Sequence, residues 1–114
     1  MKIKMDAIET PSLQYLHSLA KGNGQFENKI IKVLIKELPY EFKDYQKAIK
    51  SKNYFLASES VHKIKHKIAF FQMKNAYSIA EAHELSLREG QLIYQGEFLE
   101  IVTKIINFLS DCMD

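Results

Sequence analysis

No stretch of this 114-residue chain approaches the roughly 18 uninterrupted apolar residues that a membrane-spanning helix needs. The opening Met1–Asp6 is too charged to lead into the apolar region of a signal peptide. A single cysteine, Cys112, excludes an internal disulfide and is compatible with a reducing cytoplasm, the expected location. Proline and glycine are scarce, with two and four copies, and no glycine lies between Gly24 and Gly90. Alternating strand patterns, internal repeats and low-complexity tracts are absent as well. What remains is 46% apolar and 26% charged, an ordinary composition for a chain that folds around one core.

The net charge of +2 is unevenly placed. Residues 41–75 hold eight lysines against three acids, whereas residues 76–114 hold Arg88 and Lys104 against seven acids. The middle third therefore offers a basic surface to an acidic partner, although solvated lysines on amphipathic helices give the same asymmetry with no partner. One arginine in the chain, an acidic last third and no recognisable reading motif argue against nucleic acid.

Apolar residues recur at intervals of three and four throughout. Thr10-Pro11 reads as an N-cap with proline at the first helical position, opening a short helix with Leu13, Leu16 and Ala20 on one face. Gly22-Asn23-Gly24 ends it. A second stripe, Phe26, Ile30, Leu34, Leu38, Phe42, Tyr45 and Ile49, keeps its phase across Pro39. It predicts one kinked helix from about residue 25 to 50 rather than two helices. Asn53 caps a third helix with Ala57, Val61, Ile64, Ile68 and Phe71 inward. A fourth carries Ala76, Ile79, Ala80, His83 and Leu87, with Gly90 behind it, and a fifth carries Phe98, Val102, Ile105 and Leu109. The expected fold is all-α: an antiparallel four-helix bundle with a short additional N-terminal helix.

On the third helix His62 lies about 100° from the inward Val61, so it borders the core seam while facing out. Lys65, His66 and Ala69 follow at three, four and seven positions and form one outward row with it. An imidazole, with a reference pKa of about 6.5, presents an unprotonated nitrogen near neutral pH and serves as a nucleophile. Lys63, Lys65 and Lys67 bring positive charge that attracts phosphoryl oxygens, and Lys65 shares the patch most directly. The chain has no Gly-rich nucleotide loop and no evident carboxylate cluster for Mg²⁺.

The run Val61-His62-Lys63-Ile64-Lys65 resembles the signature of histidine-containing phosphotransfer domains: a small residue, the phosphorylated histidine, any residue, an aliphatic residue and lysine. Leu16 with Leu19-Ala20-Lys21-Gly22-Asn23, the segment from Phe26 to Phe42 with Glu37-Leu38-Pro39, the Ala48-to-Tyr54 junction, and Ala76, Ile79, Ala80 and Glu84 fit the family's flanking pattern. The similarity spans roughly residues 13–109. It implies a phosphorelay carrier in two-component signalling that accepts a phosphoryl group on His62 from a receiver-domain aspartate and passes it to another receiver. The carrier would not phosphorylate itself from ATP. Its partners would be the receiver domains of hybrid histidine kinases and response regulators, with Mg²⁺ bound by the receiver and no cofactor of the chain's own. In this frame Lys65 stabilises the phosphoryl group. Helical geometry alone places Ser58, Glu59 and Ala69, with Lys63, at the partner border, and Phe70 either docks the partner or packs against the second or fourth helix. Two positions depart from the family: the glycine four residues after the histidine is His66 here, and that ten residues after is Gln72. His66 either crowds the docking face or assists by hydrogen bonding.

The rival is a helical adaptor, or a nucleic-acid-binding module using the basic middle region with Lys43, Lys47 and Lys50. His62 and His66 have a spacing that chelates zinc, but Lys63, Lys65 and Lys67 oppose a dication and no third ligand is evident, so no metal is expected. His83 reads as a partly buried bundle residue and His17 as a surface or cap residue. A monomer without membrane contact is expected.

Overall fold

In the computed structural model the described residues are 8–112, and the charged segment Met1–Asp6 lies outside them. Five α-helices follow one another: α1 (Gln14–Ala20), α2 (Gly24–Lys50), α3 (Tyr54–Ile68), α4 (Lys74–Arg88) and α5 (Gln95–Asp111), with a 3₁₀ turn at Ala69–Phe71 between α3 and α4. No strand occurs among the described residues. The expected all-α bundle is observed.

α2, α3, α4 and α5 close a ring in which each packs on its two neighbours. Ring contacts fix their directions. Tyr45 of α2 meets His83 of α4 and Phe98 of α5, while Phe71, just after α3, meets Phe108 near the other end of α5. Consecutive helices joined by such short turns run antiparallel because the chain has no length to return to the starting end. The inward stripes of α3, α4 and α5 are buried as their spacing requires: Val61, Ile64, Ile68, Ala76, Ile79, Ala80, Phe98, Val102 and Ile105 are all within 1% of complete burial.

α2 is one helix of 27 residues and contains Pro39. Proline supplies no N–H to the preceding turn; burial of Leu34 and Leu38 beside it holds the segment helical regardless. At 1.5 Å per residue α2 is about 40 Å long, whereas α3, with 15 residues, is about 22 Å. The first turns of α2 therefore overhang its partner. That is why Phe26, expected on the inward stripe, is 45% exposed.

The start of α1 also differs from expectation. Thr10-Pro11 does not cap it; the helix begins at Gln14, and the Ser12 hydroxyl accepts from the Gln14 N–H at 3.2 Å. Tertiary bonds hold the preceding chain out of the helix. The Ser12 N–H donates to the Phe71 carbonyl (3.1 Å), the Ile8 carbonyl accepts from Lys104, and Glu9 accepts from the N–H groups of Asn75 and Ala76. Glu9 thus caps α4, which has no cap of its own, by placing a carboxylate at the positive end of that helix. Asn53 caps α3 as read from the sequence, accepting from the Leu56 N–H at 3.1 Å. Gln72, where the resembling family has glycine, takes a left-handed backbone (φ 57°), a conformation glycine adopts without a Cβ penalty. Tyr94, just before α5, is buried.

Candidate functional site

The outward row of α3 divides in the fold. His62, His66 and Ala69 are exposed, and the His62 side chain retains 49% of its accessible surface. Lys65, expected beside them, is only 8% exposed. It turns toward α4, where its ammonium lies 5.8 Å from the centre of the Tyr77 ring and 3.0 Å from Glu84 Oε1. A long aliphatic stem at the edge of a seam lies down on the neighbouring helix when a buried carboxylate awaits its head group. Lys67 likewise faces α2, 2.8 Å from Glu41 and 3.2 Å from Glu37. Burial pulls its pKa down, but the two carboxylates outweigh burial and hold it above the usual lysine value. Of the three lysines around His62, only Lys63 has no carboxylate partner among the described residues.

Glu84 organises this corner. Its side chain is 6% exposed and gathers Lys65, the Arg88 guanidinium (2.9 Å) and His62 Nδ1 (3.1 Å). Burial alone raises the pKa of this carboxyl; the hydrogen bonds and charges of Lys65 and His62 oppose that effect and hold it below the ordinary range. An ionised carboxylate only accepts hydrogen bonds, so His62 Nδ1 carries the proton. In the neutral ring the lone pair then sits on Nε2, the nitrogen away from Glu84. This is the arrangement in which a buried carboxylate fixes the tautomer and orientation of a working imidazole.

His66 stands at that lone pair. Its Nε2 is 3.2 Å from His62 Nε2, and the two rings are nearly perpendicular. With both rings neutral, His66 donates its Nε2 proton to His62 and covers that nitrogen. Beside His66 the overhang of α2 leaves a groove of about 490 Å³ lined by Phe26, Ile30, Val33, Lys67 and Phe70.

The remaining residues proposed at the partner border separate too. Glu59, Lys63 and Ala69 are exposed. Ser58 is fully buried, and its hydroxyl donates to the Phe55 carbonyl at 2.6 Å, so it faces the core instead of a partner. Phe70 is half-buried, packing near Tyr15 while contributing one edge to the groove. His17 is exposed and paired with Glu27. His83 is wholly buried, with Nε2 2.6 Å from the Tyr45 hydroxyl.

Glu84, which the flanking pattern includes without a role, and Arg88 are the site residues that the sequence does not place beside His62. Their i,i+4 spacing signals a pair on one helix face, but nothing local shows that His62 and Lys65 converge on the same carboxylate. Because Lys65 is buried against Glu84, Lys65→Ala is expected to destabilise the fold by about 2 kcal/mol, with Arg88 and His62 still partnering the carboxylate. The exposed Lys63→Ala is expected to stay within about 0.5 kcal/mol. Urea denaturation of the two variants checks the contrast, and equal stabilities would refute the buried pairing.

Among protein-family models, curated proteins and solved structures, none matches this chain. Its functional reading is carried by the geometry of the His62 corner.

Proposed function

We propose that this protein is a phosphoryl carrier that accepts the group on His62 Nε2 from a receiver-domain aspartate and returns it to the aspartate of another receiver. The observation that carries this reading is a half-exposed imidazole whose Nδ1 is anchored by a buried, ionised carboxylate, leaving Nε2, next to His66, as the nitrogen with the lone pair.

In the forward step the Nε2 lone pair attacks phosphorus, the N–P bond forms, and the P–O bond to the receiver's aspartate breaks. The aspartate leaves as a carboxylate with the bonding electrons. The attacked ring gains positive character, and Glu84, accepting from Nδ1–H, compensates it without any proton having to move. Phosphoryl transfer of this kind depends on positioning and charge stabilisation; Mg²⁺ at the receiver's own carboxylates would supply the rest. Lys65 contributes indirectly, since its ammonium fixes Glu84 rather than meeting the incoming oxygens. The exposed Lys63 is the lysine of this helix free to do that. Cytoplasmic receivers would approach over His62, with the groove edged by Phe26 and Phe70 giving an apolar surface for docking.

Transfer of label from a phosphorylated receiver to the wild-type chain tests the proposal. His66 must swing off Nε2 before the attack, and breaking one neutral hydrogen bond costs about 1 kcal/mol. His66→Ala is therefore expected to accept label about fivefold faster. A marked slowing would show that His66 assists transfer instead of covering the nucleophile.

A further inference from the structure

The sequence weighs against metal at His62 and His66 because three lysines surround them. The fold weakens that objection. Lys65 is paired with Glu84, a carboxylate it shares with Arg88, and Lys67 with Glu37 and Glu41, and both lysines are directed to a neighbouring helix. Lys63 stays exposed, where solvent and salt screen its charge.

The two imidazoles, meanwhile, converge. Their ring centres are 4.6 Å apart but their Nε2 atoms only 3.2 Å, so these nitrogens form the facing edges. Two nitrogens bound to one tetrahedral zinc at about 2.05 Å would stand roughly 3.3 Å apart. Histidines at i and i+4 on one helix face are a recurrent zinc-holding pair. Glu84 behind His62 Nδ1 supplies the carboxylate that commonly orients a metal-bound histidine and raises its basicity. Among the described residues no third His, Cys, Asp or Glu joins them, so water would complete the shell.

We propose that His62 and His66 form a two-imidazole clamp for a divalent transition cation of the zinc class, and that the bound cation occupies the nitrogen needed for phosphoryl acceptance. Binding needs His66 to move its proton from Nε2 to Nδ1, which leaves both rings neutral and releases no proton. The clamp itself stands on geometry alone; its competition with phosphorylation rests on the carrier reading above. Cation and phosphoryl group would then exclude one another, and the free concentration of the metal would set how much of the protein accepts label.

Zn²⁺ titrated into the full chain, followed by calorimetry and by the histidine ring resonances, is expected to bind one per chain and to shift His62 and His66. His66→Gln should weaken that binding at least tenfold, with circular dichroism confirming an unchanged helical content. Glu84→Gln should weaken it about 10- to 100-fold, the usual effect of losing an orienting carboxylate. No binding by the wild type, or equal affinity in His66→Gln, overturns the clamp. In the second arm, saturating Zn²⁺ should block label uptake by the wild type but not by His66→Gln under the same conditions. Uptake by the wild type unchanged by Zn²⁺ overturns the competition. Absence of uptake in zinc-free buffer that contains Mg²⁺ for the receiver would refute the carrier reading, while the titration still decides the clamp.

Discussion

A His62→Gln protein incubated with a phosphorylated receiver is expected to take up no label, while the wild type takes up label that survives base and is lost in acid. Glutamine approximates the size of the imidazole and is a good helix former, so the exposed position tolerates it. What it lacks is the lone pair on a ring nitrogen, since an amide nitrogen donates its pair to the carbonyl and does not attack phosphorus. The loss should be complete rather than graded, because no other histidine is comparably placed. His66 has no buried carboxylate behind it, His83 is sealed in the core, and His17 sits on α1 paired with Glu27. Equal labelling of wild type and variant would end the assignment, whatever else the protein binds.

The second large effect is on stability in mild acid, and it comes from His83. Burial lowers its pKa from 6.5 to about 4, against a weaker opposing influence of the Glu97 carboxylate. The folded protein therefore keeps this ring neutral while the unfolded chain begins to bind a proton near pH 6.5. Stability is intact above that pH and declines as pH falls toward 4, where the folded ring also takes its proton. The full linkage is about 3 kcal/mol, a large fraction of what holds a protein of this size together. The Tyr45 hydroxyl, 2.6 Å from His83 Nε2, is itself pushed well above its usual value by burial and stays protonated throughout. Replacing the pair together, His83→Leu with Tyr45→Phe, removes the titrating group without stranding the hydroxyl. Urea denaturation at pH 7 and pH 4.5 should then show a loss about 2–3 kcal/mol smaller in the double variant than in the wild type. Parallel losses in both proteins would show that His83 is not the source. Glu84 does not confound the comparison, because its depressed pKa costs stability only as pH falls below the ordinary carboxylate range, equally in both proteins.

The two histidines show how position on a helix decides the role of one side chain. His83 lies on the inward stripe of α4, between Ala80 and Leu87, and becomes a neutral core residue. His62 lies one residue off the inward stripe of α3, and the same ring stays at the surface, held from behind by Glu84. A periodicity count separates these cases, because 100° of rotation per residue is a local property of the backbone.

Helix number, helix type and most of the buried apolar positions were legible in the chain for that reason, whereas Ala48, Met73, Tyr94 and Ile101 are buried without lying on the stripes. Spacings of three and four report which face must leave water, and Asn53 carries its cap signal within three residues of the N–H it satisfies. The exposed His62–His66 edge was legible on the same grounds. Failures came where a partner distant in sequence competed with a local rule. Thr10-Pro11 has the chemistry of a helix start, yet Ser12 bonds to Phe71 and Glu9 leaves to cap α4, 66 residues away. Phe26 keeps the phase of its stripe but has no helix opposite it, because α2 is longer than α3. Ser58 was placed outward by helical geometry and found its hydrogen bond on its own helix.

By itself the sequence determined that the chain would form amphipathic helices, where they would bend inward to a core, and which histidine would stand at the seam facing out. Only the tertiary structure decided that Lys65 serves Glu84 instead of the surface, that Glu84 orients His62, and that His66 lies across the remaining nitrogen. The division is physical: hydrophobic periodicity is written into consecutive residues, whereas an ion pair between α3 and α4 exists only once packing has excluded water from both charges.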